Sequence, residues 1–255
     1  MPDTRHHKTV LITGAARRIG RAITLDMAAH GWSVGIHYRR SEEEAERLAE
    51  KIRAAGGTAA ALPGNFANID DVQSLIPRCA SALELPTCLI NNASEFFLDA
   101  ITSLSPEGWD THLDINLKAP VFLAQSLFLN LPDDVEGNVI NIIDQRVWRL
   151  TPEFFSYTIS KAGLWTATQT LAQAMAPRIR VNAIGPGPVL KSVHQTDEEF
   201  QREKESTLLN RGTTPEEIAA AVRFILDAPS MTGQMIALDA GQHLTSGGSA
   251  HQRSR

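Results

Sequence analysis

Short apolar runs alternate with stretches of helical periodicity along most of the chain. TVLITG at 9–14 predicts a first strand, and RIGRAITLDMAAHG at 18–31 predicts a helix that ends at Gly31. WSVGIHYR at 32–39 predicts a second strand, and the charged stretch SEEEAERLAEKIRAAGG at 41–57 predicts a second helix. The chain therefore begins as strand, helix, strand, helix.

The same alternation continues toward the end of the sequence. Further apolar runs predict strands at 58–65, 87–94, 137–144, 178–189 and 234–241. Further periodic stretches predict helices at 69–83, near 108–130 and near 153–176. This regular alternation predicts an α/β fold, with seven parallel strands in one sheet and helices on both of its faces.

Three local features add to this pattern. Ser41 and Glu44 have the spacing of a capping box, in which each side chain satisfies a backbone amide at the start of the second helix. The segment 187–212 is polar, lacks a clear period and is long for a connection, so we expect a variable loop that covers a substrate. The polar tail at 245–255 favours disorder.

Composition limits the classes of protein and partner. The 255 residues, 43% of them hydrophobic, suit one domain over 1–255, and the net charge of −5 does not favour nucleic acid as a partner. We see no apolar leader and no run long enough to span a membrane, so we expect a cytoplasmic protein without membrane contact. Cys79 and Cys88 should be buried thiols and His6 and His7 a solvated arm, which leaves no predicted metal site.

A glycine-containing turn follows the first predicted strand directly. In TGAARRIG at 13–20, Gly14 and Gly20 bracket the start of the first helix. In a parallel sheet such a turn brings backbone amides and the positive end of a helix dipole to a pyrophosphate. Glycines also serve tight turns without any ligand, but the order of strand, turn and helix favours a dinucleotide site.

The end of the second predicted strand carries positive charge. A site for NAD has a carboxylate there, next to the ribose 2′-hydroxyl, whereas this chain has Arg39, Arg40 and Ser41. Guanidinium groups and a hydroxyl can donate hydrogen bonds to a 2′-phosphate. Arg17 and Arg18 in the glycine turn add to the positive electrostatic potential there. We therefore predict NADP(H) as the cofactor, although any one of these arginines could simply be solvated.

Tyr157 and Lys161 are four residues apart, so on a helix they lie on one face, one turn from each other. A lysine ammonium beside a phenol lowers the pKa of the phenol, which makes it a proton donor near neutral pH. This spacing is common on helices by chance, and it gains weight only together with the glycine turn.

These motifs resemble the short-chain dehydrogenase/reductase family over nearly the whole chain. The shared elements are TGAARRIG, NNAS at 91–94, Asn116 in DINLKAP, YTISK at 157–161, NAIGPGPV at 182–189 and LDAG at 238–241. The resemblance implies one Rossmann-like doubly wound domain, a homotetramer or homodimer, and hydride transfer between a nicotinamide and a small molecule with a carbonyl or imine. It also implies that Tyr157 donates the proton, Lys161 binds the nicotinamide ribose, and Asn116 holds a water of the proton relay.

The resemblance also assigns the residues that contact the cofactor. They are Gly14, Arg17, Arg18, Ile19, Gly20, Tyr38, Arg39, Arg40, Ser41, Asn65, Phe66, Asn92, Ala93, Ser94, Tyr157, Lys161, Pro186 and Gly187. Asn65 stands where an aspartate usually contacts the adenine, which weakens only that peripheral contact.

Three departures from the commonest family pattern resemble one branch, the pteridine and dihydromonapterin reductases. Asp144 stands thirteen residues before Tyr157, where most members have serine, Arg18 replaces a third glycine, and NNAS replaces NNAG. By this resemblance Phe96 stacks on a pterin ring with Ser94 beside it, although Phe96 could also be ordinary core. The implied substrate residues are Arg18, Ser94, Phe96, Asp144 and Tyr157.

An aspartate in place of the usual serine at position 144 changes the chemistry that this position can perform. A serine has only to donate a hydrogen bond to a ketone oxygen while tyrosine supplies the proton. Reduction of a pterin C=N bond leaves charge on nitrogen, and a partly buried carboxyl with a raised pKa can deliver the proton that this nitrogen needs. We therefore expect Asp144 to be a catalytic acid beside Tyr157, Lys161 and Asn116; the alternative is an ionised carboxylate that caps a loop.

The sequence thus predicts an NADPH-dependent reductase that takes a dihydropterin or dihydrofolate to the tetrahydro form. One alternative is a carbonyl reductase, such as a 3-oxoacyl carrier-protein reductase, against which Asp144 argues. Another is a catalytically silent NADPH-binding protein, against which the presence of Tyr157, Lys161 and Asn116 argues.

Overall fold

Seven parallel strands form one sheet at the centre of the computed structural model, which describes residues 8–192 and 195–245. The strands are β1 (Thr9–Ile12), β2 (Ser33–Tyr38), β3 (Ala59–Pro63), β4 (Cys88–Asn91), β5 (Gly137–Ile142), β6 (Ile179–Pro186) and β7 (Met235–Leu238). Their order in the sheet is β3-β2-β1-β4-β5-β6-β7, which confirms the predicted fold class. The order reverses between β1 and β4, and ligands bind at the carboxyl ends of strands at such a switch point.

Helices cover both faces of the sheet. They are α1 (Arg18–Ala29), α2 (Glu42–Ala54), α3 (Ile69–Ala82), α4 (Pro106–Leu113), α5 (Ala119–Asn130), α6 (Phe155–Met175), α7 (Asp197–Glu205) and α8 (Pro215–Leu226). A π-helical turn at Asp114–Lys118 joins α4 to α5, so the predicted helix near 108–130 is one continuous helical run. No helix in the described ranges is long and apolar enough to cross a membrane.

Two hydrophobic layers lie on opposite faces of the sheet, because successive strand residues point to opposite faces. Ile12 of β1 belongs to a buried cluster with Ile23 of α1 and Val222 of α8. Its neighbour Leu11 belongs to a second buried cluster, which includes Leu123 of α5. The sheet is therefore packed on both sides, and its strand ends are the part that remains open to a ligand.

The two cysteines are buried in this core. Cys79 and Cys88 are both free thiols. Burial raises the pKa of each thiol to about 12, so neither thiolate forms near neutral pH. The prediction of ordinary buried thiols is confirmed.

The segment predicted as an irregular loop at 187–212 contains the helix α7. The helix begins with a capping box of Thr196 and Glu199, and none of its residues is buried. The sequence therefore carried no apolar stripe that would mark it as a helix. Residues 193–194, the predicted tail beyond 245, and His6 and His7 lie outside the described residues.

The capping box predicted for Ser41 and Glu44 is wrong. Ser41 has a ψ of 52° instead of an extended cap conformation, and its side chain accepts no hydrogen bond from α2. The Glu44 carboxylate lies 3.8 Å from the Arg17 guanidinium instead. The helix α8 was not predicted, although a capping box of Thr214 and Glu217 marks its start.

Candidate active site

A cleft of about 1060 Å³ opens at the carboxyl ends of the strands. Segments that are distant in the sequence form its walls: the turn after β1, the ends of β2 and β4, the start of α6 and the chain after β6. The predicted site residues that line it are Gly14, Arg17, Arg18, Ile19, Gly20, Tyr38, Arg39, Arg40, Ser41, Phe66, Asn92, Ala93, Ser94, Phe96, Asp144, Tyr157, Lys161, Pro186 and Gly187.

Two predicted site residues lie outside this lining. Asn65 is exposed, its amide donates to Asp71 Oδ2 at 2.7 Å, and its side chain accepts from the Ala67 amide at 3.3 Å. Asn65 therefore orders the chain before α3. Asn116 is fully buried behind the cleft wall.

The turn after β1 has no room for side chains at its glycines. Gly14 has a φ of +60°, and a Cβ there would lie 2.9 Å from Ala93 Cα. A Cβ on Gly20 would lie 2.3 Å from the Gly14 carbonyl oxygen. Asn92 donates to that same carbonyl at 3.0 Å, which ties the turn to the end of β4. The backbone is thus held close to the floor of the cleft, as a pyrophosphate site requires.

His37 supports this turn from β2, a role that the sequence analysis did not predict. Its Nδ1 accepts a hydrogen bond of 3.1 Å from the Gly14 amide, and its Nε2 lies 3.2 Å from the Gly64 carbonyl. The ring stacks on Phe66 with centroids 4.3 Å apart. Burial lowers the pKa of His37 to about 4, so at neutral pH it is uncharged, with its proton on Nε2.

The predicted phosphate-binding arginines differ in how they are held. Arg39 pairs with Glu95 at 2.6 Å, and Arg17 lies near Glu44. Arg18 has a φ of +53° and donates to the Leu190 carbonyl at 3.0 Å, which connects the glycine turn to the segment after β6. Arg40 faces the cleft without an ion pair to any described residue. The four arginines therefore differ in their partners, which the sequence did not reveal.

Three of the predicted catalytic residues lie close together, and two of them are hydrogen-bonded to each other. Tyr157 Oη donates to Asp144 Oδ2 at 3.0 Å, and the Arg146 amide donates to Asp144 Oδ1 at 2.8 Å. Lys161 Nζ donates to the Ile142 carbonyl at 3.0 Å and lies 5.7 Å from the centre of the Tyr157 ring. Asp144, Tyr157 and Lys161 therefore meet at the end of β5, as their predicted roles require.

Burial dominates the protonation of these groups. It raises the pKa of Asp144, against the opposing effects of Arg146 and Lys161. Burial and the neighbouring carboxylate raise the pKa of Tyr157 well above its ordinary value, and burial lowers the pKa of Lys161 to about 8. The predicted lowering of the Tyr157 pKa is therefore wrong for this structure, because burial and Asp144 outweigh the opposing charge of Arg146.

Asn116 lies in the π-helical turn and joins three parts of the site. Its Oδ1 accepts from the Glu95 amide at 2.9 Å and from Ser94 Oγ at 3.1 Å. Its Nδ2 donates to the Glu95 carbonyl at 3.0 Å and to Ser160 Oγ at 3.1 Å. The side chain thus orders the loop after β4 against α6, and a role toward a relay water stays a prediction.

Phe96 stands beside the catalytic tyrosine. Its ring stacks on Phe154 with centroids 4.5 Å apart and meets Tyr157 edge-on at 4.8 Å. The Arg146 guanidinium lies over Phe154 at 4.9 Å. Phe96 is only partly buried and lines the cleft, so its ring remains accessible to a planar ligand.

A buried polar cluster, which sequence analysis missed, anchors the start of α6. Asp99 accepts hydrogen bonds from the Ser156 amide at 3.2 and 3.3 Å and from the Ser156 hydroxyl. His112 Nδ1 lies 2.6 Å from Ser156 Oγ, and the His112 ring meets Tyr157 edge-on at 5.8 Å. Burial lowers the pKa of His112. Since Ser156 precedes Tyr157, the cluster positions the first turn of α6 and with it the phenol.

Several known proteins are similar in sequence to this chain over most of its length. The family model described as Enoyl-(Acyl carrier protein) reductase matches residues 14–243. FabG of Staphylococcus epidermidis, a 3-oxoacyl-(acyl-carrier-protein) reductase, is 30% identical over 243 residues, which cover 93% of this chain and 100% of that protein. A 3-oxoacyl-(acyl-carrier-protein) reductase of Synechocystis is 31% identical over 242 residues, which cover 92% of this chain and 96% of that protein.

Two solved structures have higher sequence identity. FolM alternative dihydrofolate reductase 1 from Brucella canis, complexed with NADP, is 46% identical, with a TM-score of 0.90 and coverage of 96% of this chain and 98% of that chain. FolM alternative dihydrofolate reductase 1 from Brucella suis, in complex with NADP, is also 46% identical, with a TM-score of 0.89 and coverage of 95% and 98%.

Proposed function

We propose that this chain, which belongs to the short-chain dehydrogenase/reductase family and is an NADP-dependent reductase, reduces a dihydropterin or dihydrofolate to the tetrahydro form. The observation that carries the proposal is the Asp144 carboxyl in the cleft wall, 3.0 Å from Tyr157 Oη. The proposal is also supported by sequence identity. The chain is 46% identical to two proteins named alternative dihydrofolate reductases, but only 30% identical to FabG of Staphylococcus epidermidis.

The residues of the cleft fit NADP(H). The glycine turn offers backbone without side chains at the N-terminus of α1, where a pyrophosphate would lie. Arg39, Arg40 and Ser41 at the end of β2 would hold the 2′-phosphate, and Lys161 would hold the nicotinamide ribose. When bound, NADPH supplies the hydride.

Protonation is the part of the reaction that the chain's own residues perform. Reduction of a C=N bond adds a hydride to carbon and one proton to nitrogen, so each turnover consumes one NADPH and one proton. Asp144 would deliver this proton, because its raised pKa keeps the carboxyl protonated to a higher pH than an ordinary aspartate. Tyr157 orients the carboxyl through their hydrogen bond, and the carboxylate regains its proton from solvent between turnovers. Phe96 would stack on the ring that is reduced.

The strongest rival is reduction of a 3-oxoacyl thioester, which the FabG relatives perform according to their names. A ketone oxygen needs only a hydrogen-bond donor at the position of Asp144, which a serine hydroxyl supplies, so a carboxyl at this position favours a substrate that needs an acid. A catalytically silent NADPH-binding protein is the other rival. The hydrogen bond between Tyr157 and Asp144 argues against it, because cofactor binding alone does not require this pair.

We also propose that the chain forms a homotetramer, as its family resemblance implies. Large apolar side chains remain exposed on several helices: Leu129 of α5 is 72% exposed and Phe224 of α8 is 57% exposed. Phe224 borders a groove of about 600 Å³ between α8 and β7. Contact between copies of the chain would bury these side chains.

The substrate is tested by offering purified protein NADPH with dihydrobiopterin, dihydrofolate, dihydromonapterin or an acetoacetyl thioester, and following NADPH oxidation. We expect turnover with at least one dihydropterin or dihydrofolate and little with the thioester. A Tyr157→Phe preparation, purified in the same way, controls for contaminating reductases. Efficient thioester reduction without pterin reduction would overturn the proposed substrate.

A further inference from the structure

An ion pair crosses the cofactor half of the cleft. Arg39 Nη2 lies 2.6 Å from Glu95 Oε1, and the two side chains are 34% and 31% exposed. Arg39 directly follows β2 and Glu95 lies shortly after β4, while β1 stands between these strands in the sheet. The pair therefore spans the carboxyl end of β1, where the glycine turn at 13–20 begins.

Glu95 is held rigidly at its backbone. The Glu95 amide and carbonyl both bond to the Asn116 side chain, at 2.9 and 3.0 Å. Asn116 is fully buried and is bonded in turn to Ser160 of α6. The base of the Glu95 side chain is thus anchored, whereas Arg39 is a long side chain that can turn to another anion.

We propose that Glu95 sets the affinity for NADP(H), and the preference over NAD(H), by competing with the 2′-phosphate for Arg39. A guanidinium pairs with a carboxylate or a phosphate through the same N–H donors. When the 2′-phosphate binds Arg39, the ion pair between Arg39 and Glu95 is therefore lost. The Glu95 carboxylate is then left unpaired close to the negatively charged phosphate. NADH carries no 2′-phosphate and does not need Arg39.

Glu95→Gln tests this competition, because glutamine keeps the length of the side chain and loses its charge. Measured by calorimetry, the Kd for NADPH should fall by roughly two- to fivefold, the upper range for a partly exposed ion pair, while the Kd for NADH changes by less than about twofold. Glu43→Gln is the matched control. Glu43 pairs with Arg47 on α2, away from the cleft lining, so its loss should leave both constants unchanged.

A double-mutant cycle assigns the effect to Arg39. In an Arg39→Gln background, Glu95→Gln should tighten NADPH binding less than it does when Arg39 is present, because the competition for the guanidinium is gone and only repulsion between Glu95 and the 2′-phosphate remains. Unchanged NADPH binding in Glu95→Gln alone would overturn the proposal, since it would mean that Glu95 does not affect cofactor binding. Weaker NADPH binding would also overturn it, since it would mean that Glu95 contributes to binding the cofactor. Equal tightening of NADH would also overturn it. The result does not depend on the substrate, because only cofactor binding is measured.

Discussion

The Tyr157 hydroxyl donates a hydrogen bond of 3.0 Å to Asp144 Oδ2. The other oxygen of Asp144 accepts a bond of 2.8 Å from the Arg146 amide and caps the short 3₁₀ turn at Gln145–Val147. The loop cap that the sequence left as an alternative is therefore present, but it occupies only one oxygen. The second oxygen accepts a hydrogen bond from Tyr157, the predicted proton donor of the family.

Pterin reduction should slow as the pH rises through the pKa of Asp144. Burial raises this pKa in the folded protein, so proton donation is complete below the raised pKa and is lost above it. The measurement is kcat against pH at saturating NADPH and pterin. Asp144→Asn should lack this descending limb. The affinity for NADPH should still change with the protonation of Lys161, at a lower pH than in the unaltered protein, because the charge of Asp144 raises the pKa of Lys161. An unaltered limb in Asp144→Asn would assign it to another group.

Phe96→Ala should raise the KM for pterins by roughly 2- to 12-fold, the usual worth of an aromatic pair, with kcat less affected. Reduction of small ketones should be almost unchanged, because a ketone offers no ring to stack on Phe96. Ile101→Ala is the control, since Ile101 is exposed and lies outside the cleft lining. Equal losses on pterins and ketones would mean that Phe96 only supports Tyr157, which it touches.

Asp99→Ala should lower the free energy of unfolding by about 1–3 kcal/mol, because it leaves the buried Ser156 amide and hydroxyl without their acceptor. Asp99→Asn keeps an acceptor and should cost less. Urea denaturation measures both. Asp114→Ala, which removes a partly exposed ion pair with Lys118, should cost less than about 1 kcal/mol and serves as the control. A stability of Asp99→Ala equal to that of the unaltered protein would show that the cluster is not an anchor for α6.

Purified protein at micromolar concentration should scatter light as a homotetramer. Phe224→Glu should weaken this assembly, because it places a charge on the apolar groove between α8 and β7. Glu216→Gln, a conservative change in the first turn of α8, should leave the mass unchanged. A monomer for the unaltered protein would contradict the proposed assembly.

The sheet and most of the cleft could be predicted because both follow from local pattern. Each strand is a short apolar run, and the carboxyl ends of parallel strands meet at one edge, so Gly14, Arg39 and Asp144 had to come together. α7 could not be predicted in this way. Its stability comes from caps and charges on a surface helix, and such a helix leaves no apolar period in the sequence.

Contacts between residues that are distant along the chain also could not be predicted from the sequence. The contact of Arg39 with Glu95 depends on β1 lying between β2 and β4, which spacing along the chain does not reveal. The raised pKa of Tyr157 has the same origin. The lysine one turn away was visible in the sequence, but the extent of burial and the hydrogen bond to Asp144 were not.

The central claim is that Asp144 makes this reductase suited to a C=N bond, and turnover by two variants of this residue tests it most directly. Asp144→Asn should bind NADPH with unchanged affinity and lose pterin turnover by a factor on the order of 10² to 10⁴, the worth of a positioned acid. Asp144→Ser should be nearly as slow on pterins and should gain activity on simple ketones, where its hydroxyl can donate to oxygen. Full pterin turnover by Asp144→Asn would contradict the claim and leave the aspartate as a loop cap alone.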